Sequence, residues 1–318
     1  MPADSFTVAD GSPDAHLQAV RRLIARHKTL DWLFGLLGVA ALMFAMLVFA
    51  MLFGQMLVNG FPHLSWDFFT SFPSRRAASA GILSAWVGTI LVMLVTAVVA
   101  VPLGVGAGIY LEEYAPKNLL TDIIEINVTN LAGVPSIIYG LLALALFVYQ
   151  FGLGQSIAAA GLTLALLILP VVIVATREAI RTIPQHIREG AYACGATKWQ
   201  VVAHHIVPYS LPGIMTGVII GLARAIGETA PIITIGALTF IAFLPPSPFG
   251  NPGHLISFDW LTAPFTVMPI QMFNWISRPE AAFQANAAAA GLVLVVMTLS
   301  MNAIAIWIRY YFRKRIKW

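Results

Sequence analysis

Long runs of apolar residues, separated by short polar segments, form the main pattern along this chain. Several stretches without a charged residue exceed the roughly 20 residues that a helix needs to cross a bilayer, and they are apolar on all sides. The stretch between Glu125 and Arg177 is long enough for two crossings, with a polar, glycine-bearing turn at 150–156 between them. The pattern predicts six transmembrane helices, at residues 30–53, 79–111, 123–150, 157–177, 209–243 and 286–308.

The composition agrees with this fold class. Hydrophobic residues make up 59% of the chain and charged residues only 10%, whereas roughly 25% of the residues of a soluble domain are charged. We therefore predict an all-α integral membrane protein, with a mobile tail at 1–29 and a six-helix domain at 30–318. Its largest connections are a polar segment at 178–208, expected to be helical in part, and extended proline-rich loops at 54–78 and 244–285.

The positions of the basic residues predict the orientation. Most of the 18 lysines and arginines lie in the tail, in the 178–208 segment and after the last span. Because such residues near spans stay on the cytoplasmic side, we expect both termini and the 178–208 segment to be cytoplasmic, and the other two loops to face outward. The net charge of +4 then reflects membrane topology and does not indicate nucleic-acid binding.

Two charged residues interrupt the fifth predicted span. Arg224 and Glu228 lie four positions apart in a stretch that is otherwise apolar enough to cross a membrane. A charge at mid-bilayer costs about 2.5–3.5 kcal/mol on insertion scales, so such residues indicate a substrate or ion path. The alternative is an ion bridge that only joins helices, although arginine before glutamate is the less favourable order for an isolated helical pair. We favour the path.

Glycines recur at every fourth position of the same predicted helix. Gly213, Gly217 and Gly221 form a small-residue ridge of the kind that lets two membrane helices approach closely. At about 100° per residue, Arg224 and Glu228 flank this ridge, toward the outer half of the span. We expect the charged pair to face a partner helix of another subunit.

The third predicted span contains polar and helix-interrupting residues. Asn127 and Asn130 precede Gly133, Pro135 and Ser136. Such groups are tolerated at membrane depth where they are buried in protein or line a cavity. A packed kink and a place on a substrate pathway both explain them, and the residues alone leave the two open.

The chain has no signature of catalysis. It contains no G-x-x-x-x-G-K-[ST] phosphate loop, so an ATP-driven step would come from a partner. It also lacks G-x-S-x-G and H-E-x-x-H, and the adjacent His204 and His205 would point to different helix faces, which does not favour a metal site. We expect no catalytic residue, metal or cofactor in this chain, and Cys194, as its only cysteine, excludes an intrachain disulfide.

The 178–208 segment resembles the EAA loop of ABC importer permeases, which reads E-A-A, three residues, G, nine residues, I-x-L-P. The positions that match this loop are Glu189, Ala191, Gly195 and Pro208, and those that differ are Gly190, His205 and Val207. In that family the loop forms a coupling helix that sits in a cleft of the ATPase. The resemblance implies a coupling helix at 189–198, with contacts to the ATPase from Glu189, Gly190, Ala191, Gly195 and Lys198.

Three further motifs narrow the resemblance. The segments 108–114 (G-I-Y-L-E-E-Y), 131–140 (L-A-G-V-P-S-I-I-Y-G) and 224–231 (R-A-I-G-E-T-A-P) are similar to the phosphate-specific ABC importer permeases. The likeness runs from about residue 30 to the end of the chain. The Ala-Pro after Gly-Glu-Thr is similar to the PstA-type subunit, whereas the PstC-type sister continues with Met.

This resemblance implies a type I ABC importer permease of the cell inner membrane that transports inorganic phosphate. It implies a heterodimer with a PstC-type permease, two copies of a PstB-type ATPase that uses ATP and Mg, and a PstS-type phosphate-binding protein. The family's membrane arginine maps onto Arg224 and its glutamate onto Glu228. We assign Thr229 and Ser136 to the same substrate pathway.

Other functions are still open at this point. The chain could be the PstC-type sister or carry another oxyanion, and the residue after Thr229 discriminates between the sisters. A proton-coupled secondary transporter, in which Glu228 titrates, is a different class that predicts transport by the isolated chain; the EAA-like loop argues against it. A purely structural scaffold leaves the buried charges unexplained.

Overall fold

The protein is described by a computed structural model that covers residues 13–247, 249–251 and 254–315. Its internal contacts divide the chain into two units, Met1–Gln55 and Met56–Trp318. The predicted mobile tail falls partly outside the described residues, because residues 1–12 are not among them. Residues 13–29 belong to a helix that begins at Pro13, and the mobility of the tail stays a prediction.

The described residues are mainly helical. The helices are α1 (Pro13–Gly60), α2 (Trp66–Thr70), α3 (Leu83–Ile109), α4 (Leu119–Leu131), α5 (Ser136–Ala143), α6 (Ile157–Arg181), α7 (Gln185–Ala193), α8 (Lys198–Val201), α9 (Val207–Ile226), α10 (Ala230–Thr234), α11 (Met268–Ile276) and α12 (Ala281–Arg315). The strands β1 (Phe249–Asn251) and β2 (His254–Ile256) pair antiparallel. Short π-helical segments extend α3 (Tyr110–Tyr114) and α5 (Leu144–Gln150) and join α8 to α9 (Val202–Ile206).

The predicted membrane fold is confirmed. Among the described residues, five helical stretches are long and apolar enough to cross a membrane, and the bent pair formed by α4 and α5 makes a sixth if it counts as one span. The five stretches are Leu30–His63, Leu83–Tyr114, Ile157–Arg181, Lys198–Ile226 and Ala281–Tyr311. The polar turn predicted before the fourth span lies where expected, since α6 begins at Ile157.

Helix α6 is the central element of the second unit. It is buried along most of its length, and α3 and α9 pack on it. Glycine allows both contacts: a Cβ added at Gly104 of α3 would come within 2.7 Å of Val172 Cγ1, and one at Gly217 of α9 would collide with Ala175. Since membrane helices gain most from close packing of their surfaces, these glycines hold the three helices together.

The prediction of one continuous helix at 209–243 is wrong. Helix α9 ends at Ile226, and after the short α10 the chain continues without regular helix to residue 247. Gly227 terminates α9, and Pro231 occupies the first turn of α10, where its missing N–H costs nothing. After α10 the side chains of Ile235 and Ile241 are buried, whereas those of Leu238, Phe240, Phe243 and Leu244 are exposed.

The third predicted span, at 123–150, is also interrupted. Helices α4 and α5 meet at an angle of 107° around residues 132–135. Pro135 directly precedes α5, and its fixed backbone angle lets a helix begin but prevents α4 from continuing. The sequence feature considered as a packed kink is therefore a complete break.

The two loops predicted to face outward contain more structure than expected. In the first, α1 continues to Gly60 and α2 follows. In the second, the described residues form the β1–β2 hairpin and then α11, which buries Met268 and Trp275 completely. The expectation of extended loops is therefore wrong for 268–276. The 178–208 segment is helical in part, as predicted, with α7 in its middle and α8 leading through a π-helical segment into α9.

The packing between α6 and α9 can be tested by adding one methyl group. We expect Gly217→Ala to lower the thermal midpoint of the purified protein in detergent by several degrees, because overpacking costs about 1–3 kcal/mol. The control is Gly106→Ala in α3, where an added Cβ meets nothing within 4 Å. The control should leave the midpoint unchanged or raise it slightly, since alanine favours helix by up to about 1 kcal/mol over glycine. Equal midpoints would contradict the close contact.

Candidate functional site

Arg224 and Glu228 form an ion pair at the end of α9. Arg224 Nε donates to Glu228 Oε1 over 3.2 Å, and the two side chains are 37% and 17% exposed. Arg224 lies in the last turn of α9, whereas Glu228 follows the helix end at Gly227. The pair therefore bridges a helix terminus, not one face of a continuous helix. Its cation also interacts favourably with the negative end of the α9 dipole.

The ion pair lies inside the helix bundle although α9 ends there. Glu228 lines a small cavity together with Leu164 of α6. Leu164 is seven residues after the start of α6 at Ile157, which corresponds to about 10 Å along the helix. Helix α6 thus extends roughly two turns past the level of the pair. A helix can end at such depth only where protein or a water-filled cavity satisfies its free backbone groups.

The cavity beside Glu228 is too small for an oxyanion. Its volume is about 10 Å³, and its walls include Thr89, Ala225 and Val267. A single water molecule already needs roughly 10–15 Å³. An anion would therefore have to approach Arg224 from its exposed side, because this cavity cannot enclose one.

The two interrupted helices meet next to this pair. Gly140 of α5 packs against Pro231 and Thr234 of α10, and a Cβ at Gly140 would lie 2.6 Å from Pro231 Cα. Both α5 and α10 begin directly after a break in the preceding helix. Discontinuous helices that meet inside a bundle are typical of substrate sites in membrane transporters.

The remaining predicted pathway residues lie at these two breaks. Ser136 is the first residue of α5, and Thr229 directly precedes α10. Both are partly buried. The backbone carbonyl of Thr229 accepts a hydrogen bond from Ile233 N–H at 3.0 Å, which starts α10. The structure thus brings Ser136 and Thr229 to the ends of the helices that meet beside Arg224 and Glu228.

Tyr139 bridges the break between α4 and α5. Its hydroxyl donates to the Leu131 carbonyl oxygen at 2.8 Å, which satisfies one of the free carbonyls at the end of α4. The ring is almost completely buried. Tyr139 was not among the predicted site residues, although it lies in the 131–140 motif, and only the fold reveals what it contacts.

The glycine ridge of α9 lies against α6 of the same chain. Gly213, Gly217 and Gly221 face, in that order, the α6 residues Ala179, Ala175 and Val172. The ridge therefore packs two helices of one chain together, and the partner helix expected for the Arg224–Glu228 pair in another subunit stays a prediction. The ridge sets the register of α9 on α6, and it thereby sets the depth of Arg224.

The residues of the EAA-like loop form an exposed surface on α7 and the turn that follows it. Glu189, Gly190, Gly195 and Lys198 are exposed, and Ala191 is partly buried. Two large side chains extend the same surface, since Tyr192 is 44% and Trp199 is 69% exposed. Aromatic residues are enriched at protein–protein interfaces.

Gly195 forms the turn between α7 and α8. Its φ of +82° lies in the left-handed region, which favours glycine. The Gly195 N–H donates to the Tyr192 carbonyl and the Ala196 N–H to the Ala191 carbonyl, at 2.9 and 3.1 Å. These are the two hydrogen bonds of a Schellman motif, which closes a helix C-terminus. The glycine of the EAA-like pattern is therefore required by the backbone.

Sequence reasoning missed a group of ion pairs at the end of the bundle that carries α7 and α8. Arg177 pairs with Glu112 and Glu125, and Arg188 pairs with Glu113. The signal was present, because two glutamates directly follow an apolar span inside the 108–114 motif. Charges at the end of a span are usually explained by topology alone, and only the fold shows which cations they meet.

Comparisons with known proteins agree on one family. A sequence profile described as "Binding-protein-dependent transport system inner membrane component" matches residues 100–318. The chain is 31% identical to the probable ABC transporter permease protein YqgI of Bacillus subtilis, over 89% of this chain and 95% of that protein. It is 32% identical to the phosphate transport system permease protein PstA 1 of Mycobacterium tuberculosis (strain CDC 1551 / Oshkosh), over 74% of this chain and 73% of that protein.

A solved structure shares the fold. A bacterial ABC transporter involved in the import of the acidic polysaccharide alginate aligns with a TM-score of 0.57, over 93% of this chain and 100% of that chain. The sequence identity is 15%. At this distance the likeness shows the helical permease architecture and not the substrate.

The backbone conformation of the turn at Gly195 can be tested by adding a Cβ atom. We expect Gly195→Ala to destabilise the α7–α8 turn by about 1–2 kcal/mol, because a Cβ is strained in the left-handed region. Hydrogen exchange of the amides of residues 191–198 should then become faster. Gly190→Ala is the control, since that glycine has an ordinary helical φ and open space around it. Unchanged exchange in Gly195→Ala would contradict the assignment of the turn.

Proposed function

This chain belongs to the family of binding-protein-dependent transport system inner membrane components, and on that premise we propose that it lines the translocation path of an ATP-driven inorganic phosphate importer. It is a multi-pass inner-membrane permease subunit of an ABC importer. Permeases of this class work with an ATPase and a substrate-binding protein. The proposal concerns the ion, the residues that carry it and the identity of the partners.

The observation that carries the proposal is the geometry of Arg224. Its ion pair with Glu228 uses Nε, and in the part of the chain that the structure describes no hydrogen bond engages its terminal Nη groups. A guanidinium is always charged and offers paired donors to an oxyanion. Arg224 can therefore receive phosphate through its Nη groups while Glu228 holds the side chain in place and moderates its charge. A moderated site binds the ion without trapping it.

Two arguments support phosphate as the transported ion over another oxyanion. The relative from Mycobacterium tuberculosis is named as a phosphate transport permease. In addition, Glu228 is an acceptor next to the arginine, and near neutral pH phosphate carries a P–OH group that can donate to it, whereas sulfate has no such proton. A carboxylate that repels unprotonated oxygens would thus favour phosphate over sulfate.

The partners follow from what this chain contains and lacks. We propose that it pairs with a PstC-type permease, because Arg224 lies on a wall that needs a second surface to enclose an ion. A PstB-type ATPase, in two copies, would bind the exposed surface of α7 and supply the ATP and Mg chemistry, since the sequence has no phosphate loop. A PstS-type protein would deliver phosphate from the opposite side.

Replacing Arg224 tests the path. We expect Arg224→Gln to reduce phosphate uptake by about 10- to 100-fold, because hydrogen bonds to a charged group contribute about 1.5–3 kcal/mol. Arg224→Lys should be intermediate, since lysine keeps the charge but loses the paired donors. Native gels should show an intact complex for both variants.

A matched control is an arginine of α12 that contacts the same helix α9. Arg309→Gln also removes an arginine that contacts α9, through Thr216 Oγ1 at 3.0 Å. Thr216 lies about 12 Å from the level of Arg224 along the helix. Uptake should stay near normal in this variant. An assembly defect in Arg224→Gln, or unchanged uptake, would show that the Arg224 pair is only structural.

Replacing Glu228 tests the choice of ion. A glutamine at this position offers an N–H donor to unprotonated oxygens, so Glu228→Gln should lower the preference for phosphate over sulfate about tenfold, equivalent to roughly one charge-assisted hydrogen bond. Uptake of both ions would be measured in proteoliposomes. Glu280→Gln, which removes an exposed carboxylate, is the control. Unchanged uptake and preference in Glu228→Gln would refute the role of the carboxylate.

A further inference from the structure

Three successive residues after α3 contact three different elements at the end of the bundle that carries α7 and α8, which we call the coupling end. Glu112, Glu113 and Tyr114 lie in the π-helical segment Tyr110–Tyr114. Their partners are, in order, α6, α7 and α8. The wider winding of a π-helical turn separates neighbouring side chains differently from an α-helix, and such turns are frequent at functional sites.

Glu112 holds the end of α6. Arg181 Nε donates to both carboxylate oxygens of Glu112 at 3.0 Å, and Arg177 Nε lies 3.4 Å from Glu112 Oε2. Arg177 is only 5% exposed and also pairs with Glu125 of α4. Because a buried charge is costly without partners, Arg177 keeps α3, α4 and α6 in fixed positions at this end.

Glu113 holds the predicted coupling helix α7. Arg188 Nη2 donates to Glu113 Oε1 at 2.7 Å, and Nε donates to the same oxygen at 3.2 Å. The other Arg188 donors reach the carbonyl oxygens of Ile183 and Ile180 at 2.9 and 3.3 Å. With side-chain exposures of 9% for Glu113 and 20% for Arg188, this pair is well shielded from water, so its geometry is strongly determined.

Tyr114 holds the start of α8. Lys198 Nζ lies 5.0 Å from the centroid of the Tyr114 ring, which is within the range of a cation–π contact. Helix α8 continues through the segment Val202–Ile206 into α9, and α9 ends at the Arg224–Glu228 pair. One short segment thus contacts α7 directly and also contacts the helix that leads to the substrate path.

We propose that Glu112, Glu113 and Tyr114 form a clasp that positions the coupling helix α7 against the membrane helices, so that movements imposed on α7 reach the Arg224 site. One route runs from α7 through Glu113 to the π-helical segment and from there through Glu112 and Arg177 to α6 and α4. Helix α4 leads to the break at 132–135, and α5 packs on α10 beside Glu228. These are positioning residues, because none of them touches the proposed substrate.

The test measures coupling in the assembled transporter. The permease pair, the ATPase and the binding protein would be reconstituted in proteoliposomes, and the ATP hydrolysed per phosphate transported would be compared between variants. We expect Glu113→Gln and Arg188→Gln each to raise this ratio by about three- to thirtyfold, the range typical of residues that couple distant sites. The double variant should be no worse than the worse single variant, because both changes break the same pair.

The control is an acidic residue of the same region whose ion pair lies within one helix. Glu178 pairs with Arg181 three residues later in α6, at 3.3 Å, and joins no second element. Glu178→Gln should leave the ratio unchanged. The clasp would be overturned by an unchanged ratio in Glu113→Gln or by multiplied effects of the two changes in the double variant. Failure of Glu113→Gln to assemble would also overturn it, because the pair would then be purely structural.

The clasp rests on the proposed function in two respects: α7 is the helix that contacts the ATPase, and phosphate is the ion counted. If the wild-type complex transports no phosphate, the proposed function fails. The clasp is then judged by the stimulation of ATP hydrolysis by the binding protein, which does not depend on the ion. Loss of that stimulation in Glu113→Gln, with normal basal hydrolysis, would support the clasp, and retained stimulation would overturn it.

Discussion

A membrane protein must satisfy its polar backbone groups internally, and this constraint governs the centre of the structure. Helix α4 ends at Leu131, where the bent span continues as α5, and α9 ends at Ile226, two residues before the Glu228 that faces α6. The protein makes this tolerable by placing the Tyr139 hydroxyl on the Leu131 carbonyl and by packing α5 against α10. Because the helix ends are covered in this way, the charged side chains of Arg224 and Glu228 can lie at the same depth. A site for a charged substrate is then compatible with a bundle surrounded by lipid.

Helix α6 connects this site to the coupling end of the molecule. Near one end it faces the cavity beside Glu228 through Leu164, and near the other it carries Arg177, which pairs with carboxylates of two other elements. Between these points, alanine and valine side chains accept the glycines of α9 and α3. Small residues permit backbone approach that larger side chains would prevent, so the depth of the site and the position of the clasp depend on one shared helix.

The fifth span ends earlier than its apolar composition predicts. Charge-free length located the spans well, because the bilayer sets a minimum length for any crossing helix. The same criterion extended the fifth span to residue 243, since the residues after α10 are apolar as well. In the structure that stretch folds back on the protein: Ile241 is buried, and its carbonyl accepts a hydrogen bond from Ser84. Gly227 and Pro231 were the local signals of a helix end, and apolar composition outweighed them.

The sequence alone determined the membrane class, the unusual charges Arg224 and Glu228, and the EAA-like residues, because each is a local departure from what lipid or a helix tolerates. Only the tertiary structure decided that α5 meets α10, that the glycine ridge faces α6, and that Glu113 meets Arg188, 75 positions away in the chain. The physical reason is that apolar periodicity identifies which face of a helix is buried, whereas the identity of the helix that covers it depends on packing among all of them.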